Sequence, residues 1–422
     1  MGYGDLSCYG SNISTPNLDQ MAQDGIRLTH FYSTSSVCSP SRAALLTGRY
    51  PNRFGVPRVL DPEDPGGIPD SETTIAQMLK PAGYATMCIG KWHLGAKPGF
   101  LPTSRGFDEY YGIPYSNDMV PRVLMHNTDV IEQPAQLDTL TKRYTQQAID
   151  FIKRSQKSPF FLYMPHTFPH IPLAASPDFI GKSGQGLYGD VVQEIDWSVG
   201  QILQALKDTG LDDNTLVIFS SDNGPWYQGS PGRLRGRKGD TYEGGFREPF
   251  IARFPGRIPP GQVSQSMATT LDVLPTMARL AGAALPNNPV DGVDIWPMLN
   301  GQQADVDRDA FLYFNDVYLQ AARVGQWKLH IARYTVPMFT PEPRQGRQNL
   351  PLPSPELYNV VQDPEESYDR AERNPAVVAE IRSRVDRIIR TFPRDVLSTY
   401  TDSMKRKVFY TPPDALPVED AP

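Results

Sequence analysis

The sequence predicts an α/β protein: a large, mostly parallel sheet flanked by helices, followed by a smaller α+β subdomain with an antiparallel sheet. Three observations carry this expectation. Stretches of helical periodicity alternate with short apolar runs. Glycine closes each helix before the next strand opens. Around residue 300 the alternation gives way to closely spaced strands. Helices alternating with buried strands are the pattern of a parallel sheet covered on both faces.

Thr15-Pro16 is a helix-start pair, Leu18 and Met21 follow at helical spacing, and Gly25 ends the helix before the strand "IRLTHFYS". "SETTIAQMLKPAGYATMCIGKWH" repeats the scheme, with Ile75, Met78 and Leu79 on a helix, Gly83 as its stop and a strand from Tyr84. Ile195, Val199, Ile202, Leu203 and Leu206 share one helical face, Gly210 follows, and "NTLVIFSSDNG" reads as a nearly continuous apolar strand. The larger domain is expected over residues 1–305 and the smaller subdomain over 306–422. The latter holds strands in "DAFLYFNDVYLQAARVGQWKLHIA" with a turn at Gly325, and a Pro-rich loop over 337–355. An amphipathic helix with Val378, Ile381, Val385, Ile388 and Ile389 inward comes next. The last ~25 residues are expected to form a loosely attached tail.

The net charge of −6 gives no basic surface for nucleic acid. No apolar run approaches the ~18 residues of a membrane span. The 41 prolines are about twice the usual ~5% and are spread among apolar runs, which predicts many structured loops. Cys8, Cys38 and Cys88 are widely spaced, with neither a disulfide framework nor a CxxC zinc pattern. "MGYGDLSCYG" has no basic start and no apolar segment, so it is not an export signal.

Five stretches carry chemistry. In "VCSPSRAALLTG", Ser39 is expected to cap a helix with Pro40 at its first position, which puts Cys38 at a helix N-terminus beside Arg42. Free N–H groups and the helix dipole favour negative charge there; the same features suit an ordinary structural cysteine. Asp222 and Asn223 in "SSDNG" offer hard oxygen ligands at a strand end, or a simple Asx turn. Lys91 and His93 in "IGKWHLG" lie two apart, so both side chains can point one way if the strand continues. His166 and His170 follow the strand "PFFLYM". Lys238 lies between Gly236 and Gly239 in a basic, Gly-rich loop. Together these describe an oxyanion pocket with a hard cation, a nucleophile at a helix tip and His/Lys proton carriers.

"CSPSRAALLTGR" fits the pattern C-x-P-S-R-x-x-x-L-T-G-R throughout, and "GKWHLG", "SDNG" and "RKGDTYEGGFREP" follow in order. On these motifs the chain resembles the formylglycine-dependent (type I) sulfatases, arylsulfatase-like members of the alkaline-phosphatase-like superfamily. The resemblance runs from "GYGDLSCYG" to "ELYNVVQDPEE". It implies an alkaline-phosphatase-like sandwich and hydrolysis of sulfate esters, on a sulfated carbohydrate or an aryl sulfate. It implies that a maturation enzyme reading Cys-x-Pro-x-Arg converts Cys38 to formylglycine (3-oxoalanine). One hydroxyl of the hydrated aldehyde, polarised by Ca2+ or Mg2+, would attack sulfur; the other would expel sulfate. Arg42 would hold the hydrate, His93 would be the base of the second step, and Lys91 would bind sulfate. His170 and Lys238 would bind sulfate and protonate the leaving oxygen. Cys38, Asp222 and Asn223 would be metal ligands, and His166 is left without a role.

The family also places a strand ending in two aspartates ahead of "GYGD", and Met1 stands where that strand would just have ended. Without those carboxylates the cation would bind weakly, and the sheet would keep unpaired edges. With an upstream export signal the protein would be periplasmic or secreted. The same motifs also allow two other readings: a phosphate or phosphonate ester hydrolase of the same superfamily, and a non-catalytic binder of sulfated glycans. For rim residues such as Tyr115, Asn117, Arg122 and His126, sugar contact and simple solvation are equally open.

Overall fold

The computed structural model describes residues 1–341 and 346–406. Helix α1 (Pro16–Gln23) opens with proline behind Thr15 and buries Leu18 and Met21. Strand β1 (Ile26–Tyr32) follows. Helix α2 (Cys38–Thr47) begins at the cysteine itself, with Val37 as its N-cap residue. The expected Ser39 cap is therefore displaced: the helix starts two residues earlier, and the Ser39 hydroxyl accepts the Leu60 amide at 3.0 Å. Pro40 is tolerated because first-turn N–H groups have no intrahelical partner.

Helix α3 (Ile75–Leu79) is set by a reciprocal Thr74–Gln77 capping box. The next elements are β2 (Ala85–Ile89), β3 (Glu109–Gly112), β4 (Leu124–His126), β5 (Asp129–Glu132), α4 (Leu140–Arg154) and β6 (Phe160–Tyr163). Then come α5 (Gly186–Asp208), β7 (Val217–Ser220), α6 (Glu243–Phe246), β8 (Arg247–Arg253), β9 (Gln262–Ser264), β10 (Ala268–Thr269), α7 (Val273–Ala281) and α8 (Trp296–Leu299). The chain continues with β11 (Phe311–Asn315), β12 (Tyr318–Val324), β13 (Trp327–Tyr334), β14 (Asn349–Asn359), α9 (Pro375–Ile389) and α10 (Arg394–Lys405).

Among the described residues the strands form three sheets, in the orders β10-β1-β8-β7, β5-β4-β3-β2-β6 and β11-β12-β13-β14, with β9 also on β1. The architecture is α/β with helices over the sheets and an antiparallel C-terminal sheet. The first sheet is mixed where a mostly parallel one was expected, since β8 runs antiparallel to both β1 and β7. The reason is the connection. Between β7 and β8 the chain makes only the single turn of α6, with no long crossover helix, so β8 returns alongside β7 in the opposite direction. Part of the expected Pro-rich loop is β14. Pro351, Pro353 and Pro355 are accommodated because β14 is an edge strand, paired only with β13. Part of the expected tail is α10, which buries Val396; residues 407–422 lie outside the described residues.

The strands β6 and β7, among the most apolar in the sequence, are only half-buried along their whole length. Among the described residues β6 pairs with β2 alone and β7 with β8 alone. Their free edges line one cavity of about 750 Å3, walled also by Val199, Ile202 and Leu206 of α5. At one end this cavity reaches Met1, Cys38 and Asp222.

Candidate active site

The site is assembled from strand ends and a helix tip. Cys38 is buried at the first position of α2. Lys91 follows β2, His170 lies beyond β6, Asp222 beyond β7, and Lys238 sits in the long loop before α6. The Lys238 ammonium is 3.3 Å from the Cys38 sulfur and 3.1 Å from His170 Nε2. The Lys91 ammonium is 3.6 Å from the same sulfur and 3.0 Å from the Ser116 hydroxyl. Four of the residues named from sequence thus converge on one point, and Asp222 and Asn223 line the same cavity.

Lys91 and His93 do not share a continued strand. Gly90, at φ +117°, turns the chain immediately after β2, and a Cβ there would stand 2.0 Å from the Pro165 carbonyl oxygen. His93 itself adopts φ 62°, rare for a side-chain-bearing residue. Its Nε2 lies 2.9 Å from the Leu60 carbonyl, which fixes the proton there. Nδ1 is buried without a protein partner and carries a free lone pair. Burial, reinforced by Lys91, Arg42 and Lys238, holds His93 well below the usual histidine range, so it is neutral. His170 places Nδ1 2.6 Å from the Ile171 carbonyl, leaving Nε2 to accept from Lys238. Burial and the two lysines push it down to about 2.

Arg42 ties three elements together. It reaches the Lys91 carbonyl at 2.6 Å and pairs with Asp222 at 2.7 Å. Burial opposes the Asp222 charge, but Arg42 and Lys91 outweigh it and hold the carboxyl well below its usual range. The cysteines separate cleanly. Burial pushes Cys8 up to about 12 and Cys88 higher still. At Cys38 burial also pushes upward, yet Lys238 and Lys91 win and hold the thiol below its ordinary value.

His166 lines the cavity, with burial holding it down to about 4. Of the rim residues, Asn117 is buried and donates to the His170 and Pro172 carbonyls. The Tyr115 hydroxyl donates to the Pro121 carbonyl, and His126 packs edge-on against Tyr111. Ser116 is a site residue that sequence reasoning missed; a lone serine in an irregular segment has no local signature. Trp226, three residues beyond Asn223, also lines the cavity and was missed, though its closeness to "SDNG" was a usable signal.

The family model for sulfatases matches residues 1–283. The chain is a member of the sulfatase family. A second model, the C-terminal region of N-sulphoglucosamine sulphohydrolase, matches residues 237–390. Human arylsulfatase A is 41% identical over 411 residues, covering 87% of this chain and 81% of its own. Human N-acetylgalactosamine-6-sulfatase is 42% identical, covering 79% and 70%. A structure solved in connection with the metabolism of multiple glycosaminoglycans by Bacteroides thetaiotaomicron superposes with a TM-score of 0.82 at 30% identity, covering 92% and 96%. A Pseudoalteromonas sulfatase gives a TM-score of 0.82 at 26% identity, covering 95% and 89%. This sulfatase is accordingly a sulfuric ester hydrolase.

Sulfatases generally depend on formylglycine and a divalent metal. The donors present here fit such a metal poorly. Asp222 is neutralised by Arg42, and Asn223 contributes one buried, unpartnered Oδ1. Among the described residues no group of three His, Cys, Asp or Glu side chains could hold an ion. A hard cation takes about six oxygens, carboxylates foremost. The sulfatase site in this chain therefore supplies a cationic anion cradle and only a fraction of a metal shell.

Proposed function

We propose that this sulfatase cleaves its ester at Cys38, after a maturation enzyme has converted that cysteine to formylglycine. The observation that carries the reading is the placement of one buried thiol at a helix N-terminus within 3.6 Å of two lysine ammonium groups. Formylglycine there would supply a geminal-diol nucleophile that can both accept and release sulfate.

The other roles belong to this chain's own residues. Lys91 and Lys238 hold the sulfate oxygens, and the α2 N-terminus adds unpaired N–H groups. Lys238 gives a proton to the leaving alcohol oxygen, with neutral His170 orienting its ammonium through Nε2. His93 Nδ1, the unpartnered lone pair, takes the proton that sulfate release requires. Arg42, held by Asp222, braces the Lys91 turn. Asn223 and Asp222 are the residues that would contribute to Ca2+ or Mg2+ binding, in a shell they do not complete.

The test combines mass spectrometry and turnover. Coexpression with a formylglycine-generating enzyme should convert Cys38 in its tryptic peptide to the aldehyde. The converted protein should release sulfate from a sulfated monosaccharide or an aryl sulfate. A fully converted protein that leaves both intact would refute the assignment.

A further inference from the structure

Lys238 and Trp226 both line the cavity, and two further rings stand beside them. The Lys238 ammonium lies 5.9 Å from the centre of the Phe339 ring. Phe339 meets Trp226 edge to face, with ring centres 5.0 Å apart at 83°. Tyr227 meets Trp226 in the same way at 4.9 Å. Among the described residues Phe339 is 42% and Tyr227 65% exposed, so both rings keep a face open to solvent beside Trp226. The corner is built, since Phe339 rests on Gly239, at φ +90°, where a Cβ would stand 2.8 Å from the ring. Glycine at this position lets the aromatic wall close onto the backbone beside Lys238.

Beyond His170 the rim is polar. His170 Nδ1 is 3.9 Å from the half-exposed Asp118 carboxylate, while its Nε2 faces Lys238. The imidazole therefore stands between Asp118 and the aromatic side. Asn117, adjacent to Asp118, is buried with an unpartnered Oδ1. An ester held by its sulfate at Cys38 thus places its alcohol portion between an aromatic corner and a carboxylate.

We infer that Trp226 and Phe339 form a stacking subsite for the pyranose ring of a sulfated sugar, whose hydroxyl edge is read by Asp118. This rests on the sulfatase reading and names its substrate class. A pyranose has one C–H face and a hydroxyl-bearing edge, which match the two flanks; an aryl sulfate would use the rings and leave Asp118 with nothing to accept.

Equilibrium binding to the unconverted full chain tests this without turnover. The probes are N-acetylglucosamine 6-sulfate, 4-nitrophenyl sulfate and inorganic sulfate. Trp226→Ala and Phe339→Ala should each weaken the sugar sulfate about tenfold, while inorganic sulfate shifts less than about twofold. Trp226→Phe should retain most of the affinity, which separates loss of a ring from loss of folding. Asp118→Asn should weaken the sugar sulfate alone. The inference is overturned if the alanine variants bind the sugar as the wild type does, if they lose inorganic sulfate equally, or if wild type prefers the aryl ester. Failure of the sulfatase reading would show separately, as a formylglycine-bearing protein that releases no sulfate while this binding pattern stands.

Discussion

Lys91 is a buried cation beside Cys38, and burial weakens its hold on the proton. Burial lowers it to about 8; Cys38 opposes this, and Arg42 and Lys238 add to it. In the unconverted chain its ammonium is therefore lost as pH rises through about 8, and with it one of the two cations proposed to hold sulfate. Conversion of Cys38 removes a group that raises Lys91, so we expect kcat/KM, which reports the free enzyme, to fall at or below that pH. Stability should move oppositely. Between about 8 and the unfolded value of 10.5 the unfolded chain binds the extra proton, so unfolding free energy rises with pH. A kcat/KM profile flat from pH 7 to 9 would show that Lys91 keeps its charge throughout that range. His93 makes a second prediction at this scale. Its left-handed backbone is tolerated by asparagine far better than by most residues. His93→Asn should thus cost little stability, within about 1 kcal/mol, while turnover drops 10²-fold or more. Denaturant titration alongside sulfate release separates the two effects, and wild-type turnover in the variant would remove His93 from the chemistry.

The loop running from Arg235 to α6 places Lys238, and the C-terminal sheet holds that loop. Asn315 of β11 donates to the Gly239 carbonyl at 2.8 Å, and Thr241 donates to Gln320 of β12 at 2.9 Å. Beneath them Lys328 of β13 lies 3.1 Å from Glu243 and 3.2 Å from Glu366, all three fully buried. Glu366 also accepts the Glu243 amide at 2.7 Å and contacts His330 at 2.7 Å. Burial pushes the Glu243 carboxyl upward, but Lys328, Arg323 and Arg247 hold it down to about 2. Removing Lys328 takes away the ammonium that bridges the two buried carboxylates. Lys328→Met should therefore destabilise by about 3–5 kcal/mol. It should also weaken inorganic sulfate binding at temperatures where the variant remains folded, because Lys238 loses its support. A variant that loses stability but keeps wild-type sulfate affinity would show that the network does not set Lys238. None of this was legible locally. Glu243, Lys328 and Glu366 are far apart in sequence, and each reads alone as an ordinary surface charge. Cys38, Lys91, His170 and Lys238 were legible because each sits in a short, distinctive motif.

At the scale of the whole molecule, the elements were easier to read than their pairing. The starts and stops of α1 and β1 are encoded by Thr15-Pro16 and Gly25, and the inward face of α9 by its periodicity. The direction of β8 depends on how residues 221–246 fold back, which no local pattern states. The half-burial of β6 and β7 likewise depends on what lies between them. Their free edges face one cavity of about 750 Å3 whose far end reaches Cys38, Asp222 and Met1. Both strands lead toward the Cys38 site, β6 by way of His166 and His170 and β7 by way of Asp222. An extended segment joined ahead of Met1 would therefore run parallel to both, pair with both edges and end beside Asp222 and Asn223. Ser221 already donates to the Met1 carbonyl at 2.9 Å, which sets the register at that end. Apolar side chains would fill the slot walled by Val199, Ile202 and Leu206. Two carboxylates at the end would supply the anionic ligands that Asp222, paired with Arg42, cannot supply alone. Fusing five apolar residues followed by Asp-Asp to Met1 should thus raise Ca2+ affinity at least 10²-fold over a fusion ending in Ala-Ala. Both fusions should raise the melting temperature relative to the unextended chain, since both satisfy the strand edges. Calorimetric titration and thermal unfolding read the two effects independently. Equal Ca2+ affinity in the two fusions would show that the cation shell is not completed from this slot, and an unchanged melting temperature that the slot does not accept a strand.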